Sequence, residues 1–380
     1  MELTGIDPFD ALRGTRVPEW VRRTPRARQL AIQLRKRCPI DLSRALGITP
    51  FPMAKALGAY LAAECRCDAV PGEDVRTLVE MLLQREDVAR LDDGAWGYEF
   101  DVQTRWAYYP VGSPNLIATV FVARGLGAAG IVSDDPSLRS QLTASAMFVN
   151  DRLLETAERP FFRYTLDTAR LVHNANLLGA GLLATGGTLC GDASLVDAAV
   201  TCARTTIAAQ RDDGSWPYGE GASLGWTDNF HTAYNLDGLL QVWLASGDDA
   251  VRGSLEQGVA HWTRDFFGER GEPKYYPDRA FPYDIHSAGT AVDVAARLAT
   301  WGFGTAALAG RVAEWTRQHL IDPVTGATFY QKGRFTTDRR HFIRWGDAHW
   351  ALGTSSLGML YAGRRDPLEA AVAELSGVTT

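Results

Sequence analysis

Apolar residues along this chain recur at helical spacing, in two different patterns. Over residues 194–209 one helix face is apolar, while Asp197 and Arg204 lie on other faces. The apolar positions of that face are Leu195, Val196, Ala199, Val200, Ala203 and Ile207. Residues 236–244 are apolar nearly all round, which is typical of a helix buried on every side. The pattern therefore predicts an amphipathic outer set and a more apolar inner set of helices.

Capping residues mark several helix starts. Ser113, Asp135 and Asp366 each precede a proline, and this combination favours the first turn of a helix. Ser254 and Gln257 have the spacing of a capping box, which predicts one more start.

Aromatic landmarks separate the predicted helices at nearly regular intervals. Trp96, Phe162, Trp216, Tyr275 and Phe329 follow one another at intervals of 66, 54, 59 and 54 residues. Each interval holds two helices and a hairpin, and further helices are predicted around 8–36, 54–66 and 73–88. Six helix pairs that close into a ring leave no exposed end. The prediction is an all-α fold, an (α/α)6 toroid of helical hairpins with short aromatic loops; an open helical solenoid is the alternative.

The repeat favours one continuous domain, although length alone would suggest two. Residues 91–380 are assigned to the toroid and its catalytic site. Residues 1–90 are predicted to be N-terminal helices that are part of the ring or flank it. The first 50 residues carry ten Lys and Arg against five Asp and Glu, and we interpret them as a solvated basic arm. A docking or RNA-binding arm is the alternative.

Composition excludes several protein classes. The chain has 380 residues, 46% of them hydrophobic, which suffices for a large core. A net charge of −6 and a pI near 5.7 argue against a general nucleic-acid binder. No stretch approaches the ~18 apolar residues of a membrane helix, and the start does not resemble a signal peptide. We therefore expect a cytoplasmic protein with reduced cysteines and no membrane insertion, and we leave its oligomeric state open.

Four histidines occupy equivalent places at predicted starts of inner helices: His173, His231, His286 and His349. In a toroid such helices point their N-termini the same way, so these side chains are predicted to meet at the mouth of the ring. Imidazole is the natural acid and base at neutral pH. Asp228, Asp284 and Asp347 precede three of these histidines and are candidate catalytic partners; plain helix caps are the alternative. No compact metal motif is present, so we expect no metal and no cofactor; a divalent ion bound by the His and Asp side chains is the alternative.

A second group of residues is suited to sugar binding. Tyr234 is a candidate proton carrier, and the amides of Asn174 and Asn176 are candidates to polarise a carboxylate or carbonyl. Arg163, Arg170, Arg279 and Arg344 are candidates to hold a carboxylate, with structural salt bridges as the alternative, and Arg105 is a further substrate-binding candidate. Aromatic rings between the helices offer stacking surfaces for a sugar, namely Trp96, Tyr98, Trp216, Tyr218, Trp226, Tyr275, Tyr276 and Trp345.

Two resemblances add to this interpretation. Gln210-Arg-Asp-Asp-Gly214-Ser-Trp216 is similar to the Gln-x-x-x-Gly-x-Trp signature of squalene-cyclase-like toroids, but the Asp-x-Asp-Asp acid motif of those cyclases is missing. Residues 90–376 resemble bacterial toroid proteins commonly encoded in exopolysaccharide clusters, which implies a glycan context without a defined reaction. The motifs that carry this likeness are Trp96-Gly-Tyr-Glu-Phe-Asp-Val-Gln-Thr-Arg105, Val172-His-Asn-Ala-Asn-Leu-Leu-Gly-Ala180, Asp213-Gly-Ser-Trp-Pro-Tyr-Gly-Glu220, Asp228-Asn-Phe-His-Thr-Ala-Tyr-Asn235, Lys274-Tyr-Tyr-Pro-Asp-Arg279, Asp284-Ile-His-Ser-Ala288 and Arg344-Trp-Gly346.

The sequence therefore predicts a carbohydrate-active enzyme that acts on a small sugar or a glycan by acid–base chemistry. Epimerisation, β-elimination and hydrolysis all remain open. A terpene-type cyclase with an aromatic pocket for carbocations is one alternative. A non-catalytic binding or assembly partner is another, and it predicts that the four histidines do not converge.

Overall fold

The computed structural model describes residues 3–67, 72–85, 90–91, 94–104, 107–156 and 158–379. These residues form the α-helices α1 (Glu19–Arg23), α2 (Pro25–Arg37), α3 (Ser43–Leu46), α4 (Ala54–Cys67), α5 (Glu73–Leu83), α6 (Leu116–Val132), α7 (Pro136–Phe148), α8 (His173–Cys190), α9 (Ala193–Ile207), α10 (Asn229–Ser246), α11 (Asp249–Asp265), α12 (Ile285–Thr300), α13 (Ala306–His319), α14 (Ala348–Tyr361) and α15 (Pro367–Ser376). None of the described helices is long and apolar enough to cross a membrane.

Six apolar helices form a closed inner ring. They are α4, α6, α8, α10, α12 and α14; each packs against the next, and α14 returns to α4. Glycine permits the closest crossings. A Cβ on Gly58 of α4 would meet the backbone of Val122 in α6 at 2.6 Å, and one on Gly289 of α12 would meet the backbone of His349 in α14 at 2.7 Å. The predicted toroid is confirmed, and the ring leaves no open solenoid end.

Five amphipathic helices surround the ring. α5, α7, α9, α11 and α13 each pack against the inner helix that precedes them in the chain. The sixth pair differs from the simple repeat, because α15 packs against α6, α8 and α10 and so lies across one end of the ring. α4 comes from the segment 1–90, so part of that segment lies within the ring rather than beside it.

Side-chain caps fix where the inner helices begin. Asn115 caps α6 by accepting two backbone N–H groups, and Asp228 and Asp284 cap α10 and α12. Asp135 and Asp366 cap α7 and α15, as predicted. The capping box expected at Ser254 is wrong: α11 already begins after its cap Asp248, and the Ser254 hydroxyl donates to Gln210.

Short strands connect the helices at the mouth of the ring. Two antiparallel hairpins are formed by β1 (Val102–Gln103) with β2 (Tyr108–Tyr109) and by β3 (Leu154–Glu155) with β4 (Phe161–Phe162). An antiparallel sheet contains, in order, β5 (Lys274–Tyr276), β6 (Arg279–Asp284), β7 (Gln331–Lys332) and β8 (Thr337–Asp338). Several predicted aromatic loops are therefore short hairpins, and they deliver aromatic rings to the starts of the inner helices.

A buried network of charges fills the opposite end of the ring. Arg297 in α12 binds Asp237 in α10 and, at 2.7 Å, Glu369 in α15. Arg124 in α6 binds the other oxygen of Asp237 at 2.5 Å. Arg66 in α4 binds Asp293 in α12 and Asp366 at the start of α15. The network ties α15 to four inner helices and closes this end.

Candidate active site

A cavity of about 280 Å³ opens at the end of the ring where the inner helices begin. The second residue of five inner helices lines it: Lys55, Ile117, Asn174, Phe230 and His286. The rest of the described lining is Phe9, Lys36, Tyr98, Val102, Thr104, Tyr109, Tyr164, Tyr218, Trp226, His231, Tyr234, Tyr275, Arg344 and Trp345. Among these described lining residues there is no Asp or Glu. A carboxylate of the described residues can therefore act on a ligand there only through another side chain.

His231 forms a dyad with Asp228. The Asp228 carboxylate, which is buried, caps α10 by accepting the backbone N–H of His231 at 2.9 Å. The same carboxylate accepts the Nδ1–H of His231, with distances of 2.8 and 2.9 Å to its two oxygens. This contact fixes the tautomer and leaves Nε2 as the basic nitrogen on the cavity side. His231 keeps 20% of its side chain exposed, so it is positioned to accept a proton from a ligand.

His286 has the same tautomer as His231 but different hydrogen-bond partners. Its Nδ1 lies 3.0 Å from the carbonyl oxygen of Trp345, which only accepts, so Nδ1 carries the proton. Its Nε2 therefore accepts from the hydroxyl of Tyr234 at 2.9 Å. Burial holds the pKa of His286 well below its usual value. Burial also raises the pKa of Tyr234 well above 10. The pair is a neutral imidazole and a protonated phenol.

Three of the four predicted histidines lie close together: His231 and His286 lie beside Phe230, and His349 lies beside His286. The Phe230 ring centroid lies 3.9 Å from His231 and 4.7 Å from His286. The rings of His286 and His349 are 3.9 Å apart. His349 lies one layer deeper and lines a second cavity of about 40 Å³, which Tyr234 also lines. Its Nδ1 is 3.4 Å from Thr290, and burial lowers its pKa well below the usual range.

His173 does not join this cluster. Its side chain is fully buried, and Nδ1 lies 3.2 Å from the hydroxyl of Thr206 in the outer helix α9. The predicted place at the mouth is wrong for this imidazole, because the first residue of α8 points between the inner and outer helices. Burial lowers its pKa from 6.5 to about 4.

His173 should therefore make the protein sensitive to acid. Its pKa is lower in the folded state than in the unfolded state. Between about pH 6.5 and pH 4 the imidazole is therefore protonated in the unfolded chain but not in the folded chain, and this favours unfolding. Its contribution to the free energy of unfolding should fall by roughly 3 kcal/mol between pH 6.5 and 4. Urea unfolding at pH 7 and pH 4 should show a smaller acid-induced loss in His173→Asn than in the wild type. Equal losses in the two proteins would contradict this assignment.

The predicted aromatic residues divide into lining and core. Trp345 stacks on His286 at 4.3 Å, and Trp226 stacks on Tyr218 at 4.3 Å. Tyr98, Tyr218, Trp226, Tyr275 and Trp345 all line the cavity. Trp216 does not: its ring is buried against Gly258, and Nε1 donates to the carbonyl of Thr206. Trp96 is also a buried core residue and is not part of the described lining.

The remaining predicted polar residues have mixed placements. Asn174 lines the cavity, whereas Asn176 is structural and bonds the backbone of Phe162 and Cys202. The carboxylate of Asp284 lies behind Trp345, whose Nε1 donates to it at 3.1 Å. Asp347 is not at the cavity, because it pairs with His341.

Two predicted arginines and Tyr276 do not act as free ligands of the cavity. Arg344 lines it, but Nε and Nη2 are held by the buried Asp7, each at 2.7 Å. Arg279 is exposed and stacks on Tyr276 at 4.5 Å, and neither belongs to the described lining. Arg105 lies outside the described residues.

Two lysines of the lining were not predicted from sequence. Lys36 at the end of α2 lies 4.6 Å from the ring of Phe9 and 5.2 Å from the ring of Trp345. Lys55 in α4 lies 4.3 Å over the ring of Phe121. Both come from the segment 1–90, and Lys36 belongs to the first 50 residues, which we interpreted as a solvated basic arm. One signal was available: the chain has four lysines against 35 arginines, so each lysine is unusual.

Comparisons with known proteins identify the fold. No protein-family model and no curated protein matches the chain. A cellobiose 2-epimerase from Bacillus thermoamylovorans has a TM-score of 0.61 at 10% identity over 82% of this chain and 88% of its own. An unsaturated glucuronyl hydrolase specific for heparin has a TM-score of 0.61 at 14% identity over 83% and 89%. A D-mannose isomerase has a TM-score of 0.60 at 11% identity over 82% and 87%. These likenesses show the α/α-toroid fold.

Proposed function

We propose that this protein is a carbohydrate-active enzyme of the epimerase or isomerase type, which moves a proton at a carbon next to a sugar carbonyl. One observation carries the proposal. Two imidazoles, His231 and His286, line one cavity and differ in the partner of Nε2: that of His231 is left for a ligand, and that of His286 accepts from the hydroxyl of Tyr234. Proton removal and return at one carbon needs such a pair of groups.

The roles follow from the hydrogen bonds. Asp228 fixes the tautomer of His231 and stabilises its positive charge once Nε2 has taken a proton. On the other side of Phe230, Tyr234 is the proton donor; water would reprotonate its phenolate, because Nε2 of His286 accepts a hydrogen bond and carries no proton to return. Return of the proton from the side opposite to its removal would invert the carbon.

The cavity suits a sugar better than a terpene. The aromatic rings supply stacking surfaces, and Oδ1 of Asn174 is a buried acceptor without a partner among the described residues, available to a sugar hydroxyl. Lys36 and Arg344 bring positive charge to the wall, which would repel the carbocation of a terpene cyclase. The neighbours in fold include enzymes named for cellobiose, mannose and glucuronyl substrates.

Hydrolysis by two facing carboxylates is disfavoured by the same lining. Glycosidases of that type place two carboxyl groups roughly 5–10 Å apart across the scissile bond. Asp228 and Asp284 are both buried behind aromatic or imidazole rings, and the described lining holds no carboxylate. β-Elimination on a uronate remains a second candidate, because Lys36 and Asn174 are placed to receive a carboxylate.

Isotope exchange tests the proposal directly. The protein would be incubated in D₂O with a panel of reducing aldoses, ketoses, uronates and short oligosaccharides, and the sugars followed by NMR. We expect deuterium to enter one sugar next to its carbonyl, with its epimer or isomer appearing at the same time. An unsaturated product would identify β-elimination instead. Release of a free sugar from a glycoside without exchange would show a hydrolase and contradict the proposal.

A further inference from the structure

Lys55 is a buried amine that nothing in the described structure neutralises. It is the second residue of α4, lines the cavity and is 4% exposed. Within the described part of the chain, Nζ makes neither a hydrogen bond nor an ion pair, and it lies 4.3 Å from the centroid of the Phe121 ring. A buried ammonium without a counter-charge is strongly unfavourable. The geometry therefore favours the uncharged amine.

The charged groups around Lys55 favour the same state. Burial lowers its pKa well below 10.5, and Arg344 lowers it further, while Asp7 raises it less because that carboxylate is committed to Arg344. His286 from α12 and His349 from α14 also face it and are neutral. The N-terminus of α4 adds a positive dipole end, which opposes an ammonium at this position.

We propose that Lys55 is a nucleophile that forms an imine with the open-chain carbonyl of a reducing sugar. The amine lone pair attacks the carbonyl carbon, the new C–N bond forms, and the carbinolamine loses its hydroxyl with a proton as one water molecule. Hydrolysis returns the amine and the sugar, so no other reactant is required. A lysine desolvated in an apolar pocket or placed beside another cation is a known way to make such an amine reactive.

The imine would serve the chemistry proposed above, and it rests on that proposal for the class of ligand. A protonated imine withdraws electrons from the neighbouring carbon more strongly than a carbonyl, so it would ease proton removal by His231. The choice of side chain fits this role. The chain uses arginine for 35 of its 39 basic residues, yet only lysine has an amine that loses its proton and attacks carbon.

Reductive trapping tests the imine without any need for turnover. The folded protein would be mixed with glyceraldehyde and sodium cyanoborohydride at pH 7, and the modified lysines located by peptide mass mapping. Lys332 in the strand β7 is the internal comparison. We expect Lys55 to be labelled at least about tenfold faster than Lys332, since each unit of lowered pKa gives roughly tenfold more free amine. Labelling of Lys332 should rise steeply from pH 7 to 9, and that of Lys55 should stay nearly level.

The same labelling experiment can rule out the imine at Lys55. The same mapping with formaldehyde, the smallest carbonyl, checks access to the cavity. If Lys55 is labelled by neither aldehyde, or only with the pH dependence of Lys332, it is an ordinary ammonium that holds an anion, and the imine is ruled out. The Lys55→Arg variant keeps a cation but should lose labelling at position 55. The Lys332→Met variant should be labelled at Lys55 as fast as the wild type.

The imine and the acid–base proposal fail in different ways. If the Lys55→Met variant still exchanges deuterium into a sugar, the imine is not part of the reaction, and the proposed roles of His231 and His286 stand. If Lys55 of the wild type is trapped but no sugar of the panel exchanges deuterium, Lys55 is a reactive amine and the proposed function is wrong.

Discussion

Replacement of His231 by alanine should lower the rate of deuterium exchange into the sugar substrate by about 10²–10⁴-fold, with the fold intact. A positioned acid–base group typically contributes that much to a rate. His231 is the cavity imidazole whose Nδ1 is held by a buried carboxylate and whose Nε2 is left for the ligand. The cap of α10 does not depend on its ring, because Asp228 accepts the backbone N–H. The measurement is the exchange rate at saturating sugar, together with the melting temperature.

Two further variants make this test specific. Asp228→Asn keeps a good helix cap but loses the negative charge, so it should slow exchange while stability changes little. His319→Ala removes an imidazole that stacks on Trp315 in the outer helix α13, away from the cavity, and should leave the exchange rate unchanged. A near-native rate in His231→Ala would assign the proton transfer to another residue. Unfolding of that variant would make His231 a structural residue.

Local patterns predicted the parts of the site that local structure determines. Asp228 and His231 are three residues apart at a helix start, and this spacing puts a capping carboxylate and an imidazole on one face. The structure joins them at 2.8 Å. The equivalence of His286 and His349 follows in the same way from the repeat, since both are the second residue of an inner helix.

Contacts between distant segments were beyond sequence patterns. Arg344 is of a residue type that commonly binds an acidic ligand. Two of its nitrogens are instead bound by Asp7, which lies 337 residues away in the sequence. His173 and Trp216 belong to the same repeats as the cavity residues, yet both reach Thr206 in the outer helix α9. The sequence repeat predicts the path of the backbone. Whether a side chain lies in the cavity or in the core depends on which neighbouring residue is within hydrogen-bonding distance.

The N-terminal segment shows the same limit. Ten basic residues in the first 50 suggested a solvated arm, but burial depends on tertiary packing rather than on local charge. Arg35 is fully buried with Asp10, and Lys36 beside it lines the cavity. The excess of positive charge therefore belongs partly to the site, which is consistent with the anionic or carbonyl-bearing ligands considered above.

The buried charges at the closed end should dominate stability. Arg297 contacts both Asp237 and Glu369, and all three side chains are less than 10% exposed. Removing one partner of a buried ion pair leaves an uncompensated charge, which typically costs about 3–5 kcal/mol. We therefore expect Arg297→Met to lower the free energy of unfolding by about that amount. Urea unfolding at pH 7, followed by circular dichroism, measures it.

An exposed ion pair serves as the control for Arg297→Met, and a double variant tests the role of the unpaired carboxylate. Arg317→Met breaks an exposed pair with Glu314 in α13 and should cost less than ~1 kcal/mol. Glu369 is bound by Arg297, Gln241 and Trp301, so Glu369→Gln keeps a polar group of the same shape while removing the charge. Combined with Arg297→Met, it should recover part of the lost stability, since the unpaired carboxylate is then gone. If Arg297→Met unfolds at the same urea concentration as Arg317→Met, the network does not hold α15 across the ring, and the closure of this end depends on the apolar contacts of Leu368 and Val372.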